Sequence, residues 1–367
     1  MRVYLFVMLI AAAVTYLATP LARRLAERAQ AMTPVRDRDV HSVPTPRLGG
    51  LAMLAGLAAS FAVASQVPFL EGVFAESRGP WAILGAGALV CLLGVADDVW
   101  GLDALTKLAG QVLAAGLMAW QGVQLVSLPL AGLTVGSGGF FLVLTVVAVV
   151  VAINAVNIID GLDGLAAGVM AIGGGAFFVY TYRLSQDASP DDYSNLASLV
   201  VASLVGCCVG FLPHNFNPAR IFMGDSGAML LGLLLAASAI TVTGQVDPTV
   251  VSDARIVPAY FPVLLPVVVL LVPMTDLLLA VVRRVRAGQS PFAADKLHLH
   301  HRLLDLGHSQ ARAVGIMYLW TAVMAFGAVA LAFVPAEVAL PAWGVGIVVS
   351  ALLTLGPLRG RRLTRRL

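Results

Sequence analysis

The chain has 367 residues, of which 59% are hydrophobic and only 12% are charged, and its mean hydropathy is +0.90. Soluble domains carry about 25% charged residues, so this composition excludes an ordinary soluble domain and indicates a protein embedded in a membrane. The formal net charge is +3, and we expect no nucleic-acid partner. Three cysteines lie inside apolar runs and predict buried thiols rather than a disulfide framework: Cys91, Cys207 and Cys208.

Eleven apolar segments are long enough to be transmembrane helices, since a helix needs about 20 residues to cross ~30 Å of hydrocarbon. In chain order they are centred near residues 11, 58, 88, 115, 148, 173, 204, 235, 271, 324 and 348. The first is followed by the charged stretch 23–28, which is typical of a retained helix rather than of a signal peptide. The sequence therefore predicts an all-α integral membrane protein, a polytopic bundle of about 11 transmembrane helices that forms a single domain over residues 1–367.

Lysines and arginines are distributed unevenly between the two alternating sets of loops. One set carries 19 of them and the other carries four: Arg2, Arg78, Arg183 and Arg255. The positive-inside rule then predicts an N-terminus outside the membrane and a C-terminus in the cytoplasm.

Five polar segments fall on the cytoplasmic side of this topology, and the outer loops hold nothing comparable. They read "HSVPTPRLGG" (41–50), "ADDVWGLDALTK" (96–107), "NAVNIIDGLDG" (154–164), "PHNFNPARIFMGDSG" (213–227) and "SPFAADKLHLHHRLLDLGH" (290–308). We expect one active site, formed by cytoplasmic loops 20–47, 97–104, 157–163, 213–225 and 283–312. An ion-coupled transporter is a remote alternative, because transporter sites lie near the bilayer midplane rather than at one face.

The carboxylates of these segments raise the question of what neutralises them. Asp97 and Asp98 are adjacent at the end of an apolar segment, and Asp160, Asp163 and Asp225 fall in other loops of the same face. Carboxylates in one pocket repel one another unless a cation lies between them, and hard oxygen ligands favour Mg²⁺ or Mn²⁺ over zinc. The plainer alternative is that these acids mark helix ends, with Asp225 as an N-cap.

The segment 154–164 repeats polar residues at intervals of three. Neighbouring members of such a row lie close together on a helix, but the row turns by about 60° at each step. Asn154, Asn157, Asp160 and Asp163 therefore cannot all point at one atom. Polar residues within a membrane usually mark a functional site, and interhelical hydrogen bonding is the alternative.

The last polar segment carries three histidines: His298, His300 and His301. No cysteine or histidine pattern elsewhere supports a zinc site, and histidines near basic residues suit the charged oxygens of a polyphosphate. Asp103 and Lys107 are four residues apart at the start of the fourth apolar segment and predict an ordinary i,i+4 ion pair.

Taken together and in this order, the five segments resemble the polyprenyl-phosphate N-acetylhexosamine-1-phosphate transferases. "HSVPTPRLGG" and "SPFAADKLHLHH" look like the GlcNAc branch of this family, because the lysine that precedes the Thr-Pro-Thr-Met-Gly-Gly of the phospho-MurNAc-pentapeptide translocases is missing here. The resemblance implies transfer of GlcNAc-1-phosphate from UDP-GlcNAc to a polyprenyl phosphate with Mg²⁺, release of UMP, and a place in a bacterial plasma membrane at the first membrane step of cell-envelope glycan synthesis. Use of UDP-MurNAc-pentapeptide or another amino sugar stays open, and so does a homodimer.

The resemblance also implies roles for individual residues. Asp225 would ligate Mg²⁺ with Asn157 and Asp97 as co-ligands, and Asp97 or Asp98 would act on the lipid phosphate as a base or an orienting group. Further residues would complete the site: His298 and His300 as catalytic residues near the phosphates, and Lys107, Asp160, Asp163, Phe222, His301 and Arg302 as substrate-binding residues.

Two mechanisms are compatible with these residues. A lipid phosphate is largely ionised near pH 7, since a second phosphate pKa is about 6, and a general base would then contribute little. Direct attack is favoured because it needs no second transfer, while double displacement through an aspartyl-phosphate stays open.

Overall fold

The computed structural model describes residues 1–33, 44–75, 77–126, 137–187, 194–243, 264–265, 267–269, 271–286, 288 and 299–364. Nearly all of them are helical, and within these ranges the β-type pairing is a single bridge between Met32 and Pro46. The helices are α1 (Arg2–Arg28), α2 (Gly49–Ala64), α3 (Pro68–Ala75), α4 (Gly79–Trp100), α5 (Ala104–Trp120), α6 (Gly138–Ile159), α7 (Leu165–Asp187), α8 (Ser194–Asn215), α9 (Gly224–Thr243), α10 (Leu271–Arg286), α11 (Leu299–Asp305), α12 (Gln310–Phe333) and α13 (Ala336–Thr364).

The lengths and compositions of these helices fit a polytopic membrane protein. In the described ranges, eight helices are long and apolar enough to cross a bilayer: α1, α4, α6, α7, α8, α9, α12 and α13. A ninth span is present if α2 and α3 are counted as one, and α5 is a shorter apolar helix. The centres of all eleven predicted segments fall on helices, so the helical membrane architecture is confirmed.

The second apolar segment is bent rather than straight. α2 ends at Ala64, α3 begins at Pro68, and their axes differ by 104°. The residue before a proline avoids the α-helical region, while proline itself fits the first position of a helix. The chain therefore leaves the helical path of α2 before Pro68, and Pro68 begins α3 in a new direction.

α9 is the central helix of the bundle, and 94% of its most apolar window is buried. It packs against α2, α4, α6 and α8. A Cβ added to Gly232 would lie 2.5 Å from the Cα of Ile153 on α6, so only glycine allows the two backbones to approach this closely. Because lipid gives no hydrophobic drive for helix association, such close packing stabilises the bundle.

Polar loops meet at one end of the bundle, where α1, α4, α6 and α8 end and α2, α5, α7 and α9 begin. The backbone amides of Gly49 and Gly50 donate to the carbonyls of Phe222 and Met223, each at 3.0 Å. The amide of Gly164 donates to Oδ1 of Asn215 at 3.1 Å. We refer to this end of the bundle as the polar end.

Two expectations about buried groups can be checked directly. Cys91, Cys207 and Cys208 are buried free thiols, as predicted. Polar side chains also join helices inside the bundle, since the Tyr4 hydroxyl donates to Oδ1 of Asn195 at 2.6 Å and the hydroxyl of Ser60 donates to that of Ser203 at 3.0 Å. Each of these bonds satisfies polar groups that water cannot reach.

Candidate active site

The first of the paired aspartates closes the end of α4. Gly101 adopts a left-handed conformation (φ 70°) and its amide donates to the carbonyl of Asp97 at 2.8 Å, which ends the helix. Oδ1 of Asp97 accepts the amide of Leu102 at 2.8 Å. Oδ2 is thereby left to face the neighbouring helices.

The second aspartate caps α9 from a neighbouring helix. Asp98 is only 9% exposed, and its two oxygens accept the amides of Asp225 at 3.2 Å and of Ser226 at 3.3 Å. The first amides of a helix have no partner within the helix and carry partial positive charge. A Cβ on Gly224 would lie 2.2 Å from Oδ2 of Asp98, and Gly224 has φ +68°, so this approach requires glycine.

Lys107 lies between two carboxylates on different helices. Its Nζ is 3.1 Å from Oδ2 of Asp97 on α4 and 3.1 Å from Oδ2 of Asp225 on α9. The predicted i,i+4 pair with Asp103 is wrong, because Asp103 is the N-cap of α5 and accepts the amides of Leu105 and Thr106. Hydrogen bonds from Thr106 lower the pKa of the Asp103 carboxyl.

Asn157 completes this group from α6. Its Nδ2 donates to Oδ2 of Asp225 at 3.4 Å, the same oxygen that Lys107 contacts. The side chains of Asp97, Lys107, Asn157 and Asp225 thus come from four helices and meet at one point, which we call the four-helix centre.

Two carboxylates of this centre are of the ligand type that divalent cations such as Mg²⁺ prefer. Among the described residues, no group of three or more His, Cys, Asp or Glu side chains is placed to hold a metal ion by itself. Mg²⁺ is usually held by only one or two carboxylates together with substrate phosphates. Asp97 and Asp225 provide two such carboxylates, while Asn157 presents its Nδ2 to Asp225.

The four polar residues that recur at intervals of three along α6 and beyond its end have different contacts. This agrees with the prediction that they cannot all point at one atom. Asn154 donates to Oε1 of Gln111 at 2.7 Å, so it links α6 to α5. Asp160 follows the last residue of α6 and is half-buried. Burial, together with the negative charges of Asp225 and Asp98, raises the pKa of Asp160 to about 7.

Asp163 holds the chain between α8 and α9. It is 2% exposed, and its Oδ2 accepts Nδ2 of Asn217 at 2.8 Å and the amide of Ala219 at 3.0 Å. Asn217 also donates to Oε1 of Gln310 at the start of α12 at 3.0 Å. These bonds give Asp163 a structural function at the polar end and bring α12 to the same place.

The remaining predicted site residues are less completely described. Phe222 is half-buried, and its amide donates to the carbonyl of Pro46 at 2.8 Å. Arg302 is exposed on α11. His298 lies outside the described residues. His300 and His301 belong to α11, but the structure describes only their backbone.

Comparison with known proteins identifies the family. The model of glycosyl transferase family 4 matches residues 80–243. A decaprenyl-phosphate N-acetylglucosaminephosphotransferase of Mycobacterium leprae is 45% identical over 96% of this chain and 90% of its own length. The chain belongs to glycosyl transferase family 4.

Other members of the family are more distant. A probable undecaprenyl-phosphate N-acetylglucosaminyl 1-phosphate transferase of Bacillus subtilis is 31% identical over 85% of this chain and 80% of its own length. A phospho-N-acetylmuramoyl-pentapeptide-transferase of Desulforudis audaxviator is 30% identical over 88% of this chain and 97% of its own length. The segment matched by the model of glycosyl transferase family 4 contains the whole four-helix centre.

One residue of this family 4 member was not assigned a role from the sequence. Arg47 precedes α2 and is half-buried, and its Nε donates to Oγ1 of Thr33 at 2.8 Å. Its positive charge acts on the carboxylates of Asp98 and Asp160. The signal in the sequence is an arginine two residues before the glycine pair of "HSVPTPRLGG".

Proposed function

We propose that this family 4 member transfers GlcNAc-1-phosphate from UDP-GlcNAc to a polyprenyl phosphate, giving polyprenyl-diphosphate-GlcNAc and UMP. The observation that carries this proposal is the 45% identity, along nearly the whole chain, to decaprenyl-phosphate N-acetylglucosaminephosphotransferases. Identity to a phospho-N-acetylmuramoyl-pentapeptide-transferase is 30%, and this difference favours GlcNAc as the sugar.

The proposal includes an orientation in a bacterial plasma membrane. With eleven spans, the N-terminus would lie outside and the polar end would face the cytoplasm, where nucleotide sugars are available. The 19 lysines and arginines assigned to that side support this orientation. The lipid tail would then stay in the bilayer while its phosphate reaches the four-helix centre.

The reaction is a substitution at phosphorus. An oxygen of the polyprenyl phosphate attacks the β-phosphorus of UDP-GlcNAc, the bond from that phosphorus to the bridging oxygen breaks, and UMP leaves with the bridging oxygen. Both substrates are anions, so charge neutralisation and positioning supply most of the catalysis in such transfers. Lys107 is the ammonium at the four-helix centre that can donate to phosphate oxygens.

The acids of the centre would hold Mg²⁺ or Mn²⁺. Asp225 and Asp97 would be the ligands, with Asn157 beside them, and the bound ion would neutralise the diphosphate as a Lewis acid. Asp98 would act through Asp225, because it fixes the first amides of α9 and therefore the direction of the Asp225 side chain. This interpretation gives Asp98 a positioning role rather than that of a base.

The other predicted residues complete the proposal. Asp160, Asp163 and Phe222 would lie on the nucleoside side. Three histidines and one arginine of the segment 290–308 would contact the phosphates: His298, His300, His301 and Arg302.

The proposal is tested with purified protein in liposomes that contain decaprenyl phosphate. UDP-GlcNAc labelled in the sugar is added with Mg²⁺ or with EDTA, and lipid-extractable label and UMP are measured. We expect equal amounts of both products, with Mg²⁺ only. Transfer from UDP-MurNAc-pentapeptide instead would contradict the assigned sugar, and transfer from neither donor by folded protein would contradict the function.

A further inference from the structure

Arg47 is fixed against the segment that leads into Asp225. The carbonyl of Pro46 accepts the amide of Phe222 at 2.8 Å, and the amide of Gly49 donates back to the carbonyl of Phe222 at 3.0 Å. A Cβ on Gly50 would lie 2.3 Å from the amide nitrogen of Gly227, so the start of α2 touches the start of α9. The backbone of Arg47 therefore has a fixed place beside the four-helix centre.

The side chain of Arg47 is oriented by one hydrogen bond, and its other donors have no acceptor among the residues that the structure describes. Nε donates to Thr33, whose segment is tied to that of Arg47 by the bridge between Met32 and Pro46. A guanidinium has five N–H donors, and none of the described residues accepts a hydrogen bond from the two terminal nitrogens of Arg47. The residue as a whole is half-buried at the polar end.

The acids that the structure describes do not use these donors. Both oxygens of Asp98 accept amides of α9, and the structure contains no ion pair between Arg47 and a described carboxylate. Lys107, by contrast, contacts Asp97 and Asp225 directly. Lys107 and Arg47 thus differ: Lys107 is bound to two acids, while the terminal nitrogens of Arg47 have no acceptor among the described residues.

We propose that Arg47 binds substrate directly through its terminal guanidinium nitrogens, and that its ligand is a phosphate group. A planar guanidinium with two parallel donors matches a phosphate better than an ammonium does. This inference rests on the proposed function, which supplies two phosphate-bearing substrates: the polyprenyl phosphate and the diphosphate of UDP-GlcNAc. Thr33 is the positioning residue that aims the guanidinium.

The test compares Arg47→Gln and Arg47→Lys with the wild type. The control is Arg23→Gln, because Arg23 is an exposed arginine of α1 paired with Glu27 at 3.0 Å. The KM is measured for polyprenyl phosphate and for UDP-GlcNAc separately. We expect Arg47→Gln to raise one of the two KM values, or both, by about 10-fold or more, as loss of a hydrogen bond to a charged group does.

The substrate whose KM rises identifies the phosphate that Arg47 contacts. Arg47→Lys keeps the charge but loses the paired donors, so we expect the same KM to rise by a smaller factor. If both KM values of Arg47→Lys and Arg47→Gln stay within about twofold of the wild type, or if only kcat falls, the inference is wrong. Should Arg47→Gln fail to fold, the lysine variant alone decides.

A binding measurement separates failure of this inference from failure of the proposed function. The rise in melting temperature caused by UDP and by decaprenyl phosphate is measured for wild type, Arg47→Gln, Arg47→Lys and Arg23→Gln, with no reaction required. We expect Arg47→Gln to lose most of the rise from one of these ligands and Arg47→Lys to lose a smaller part of it, while Arg23→Gln keeps it. A full rise in every variant would overturn the role of Arg47, even in a protein that proves inactive towards UDP-GlcNAc.

Discussion

Replacing Lys107 by methionine removes the cation of the four-helix centre and keeps most of its volume. The Nζ lies 3.1 Å from one oxygen each of Asp97 and Asp225, and the three side chains are 26%, 13% and 21% exposed. At this separation each pair attracts with about 5 kcal/mol at an effective dielectric constant of about 20. Desolvation cancels much of this, and removing one partner of a buried pair costs about 3–5 kcal/mol.

Because the centre is partly exposed, we expect the lower end of that range, about 3 kcal/mol, in the absence of metal. With an unfolding entropy of about 2.1 cal/mol/K per residue over 367 residues, this corresponds to a fall in melting temperature of about 4 °C. Mg²⁺ competes with the ammonium for Asp97 and Asp225. Added Mg²⁺ should therefore stabilise Lys107→Met more than it stabilises the wild type.

The assay is thermal unfolding of purified protein in detergent, with EDTA or with saturating Mg²⁺. Arg23→Met is the matched control, because its ion pair with Glu27 is 47% and 45% exposed and such pairs contribute at most about 1 kcal/mol. The reasoning is refuted if Lys107→Met melts with the wild type in EDTA. Equal stabilisation of both proteins by Mg²⁺ would refute the shared site.

Substitutions at three further positions test the four-helix centre and the contacts beside it. Asp225→Asn should reduce transfer by more than about 100-fold while leaving folding intact, and substantial activity in a well-folded variant would contradict the role of Asp225 as a metal ligand. Asp98→Ala leaves the amides of Asp225 and Ser226 without their acceptor, so the free energy of unfolding should fall by about 2 kcal/mol. Asp98→Asn keeps one acceptor and should lose about half as much, and melting curves that rank the two variants the other way would argue against a capping role. Gly224→Ala forces a side chain into a left-handed backbone and against Asp98, so it should lower the unfolding free energy by about 2 kcal/mol, whereas an unchanged melting temperature would show that the close approach is not required.

The sequence was sufficient to predict the features that depend on local pattern. Apolar length predicted the segments that became helices, and the clustering of polar residues predicted that distant loops meet at one end. The bonds from Asp98 to α9 and from Lys107 to Asp225 join two of these segments, 96–107 and 213–227. One site formed by all five segments stays a prediction. Both predictions rest on which residue types a bilayer accepts in its apolar core. The order of those residue types can be read directly from one sequence.

The partners of individual side chains could not be predicted in the same way. Lys107 has Asp103 as a local partner at the right spacing, yet it contacts Asp225, which is 118 residues away in the chain. Asp103 was unavailable because it caps its own helix. Asp98 and Arg47 show the same limit, since their roles depend on where α9 and the segment before α2 are placed by the fold.

The measurement that tests the central claim most directly follows the β-phosphorus of the donor. UDP-GlcNAc labelled with ³²P at the β-position is incubated with purified protein, decaprenyl phosphate and Mg²⁺, and the products are separated into lipid and aqueous phases. Substitution at that phosphorus predicts that the label enters the lipid phase together with the sugar while unlabelled UMP is released. Sugar in the lipid phase with the label left in UDP would mean that the bond to carbon is broken instead, and would contradict the account.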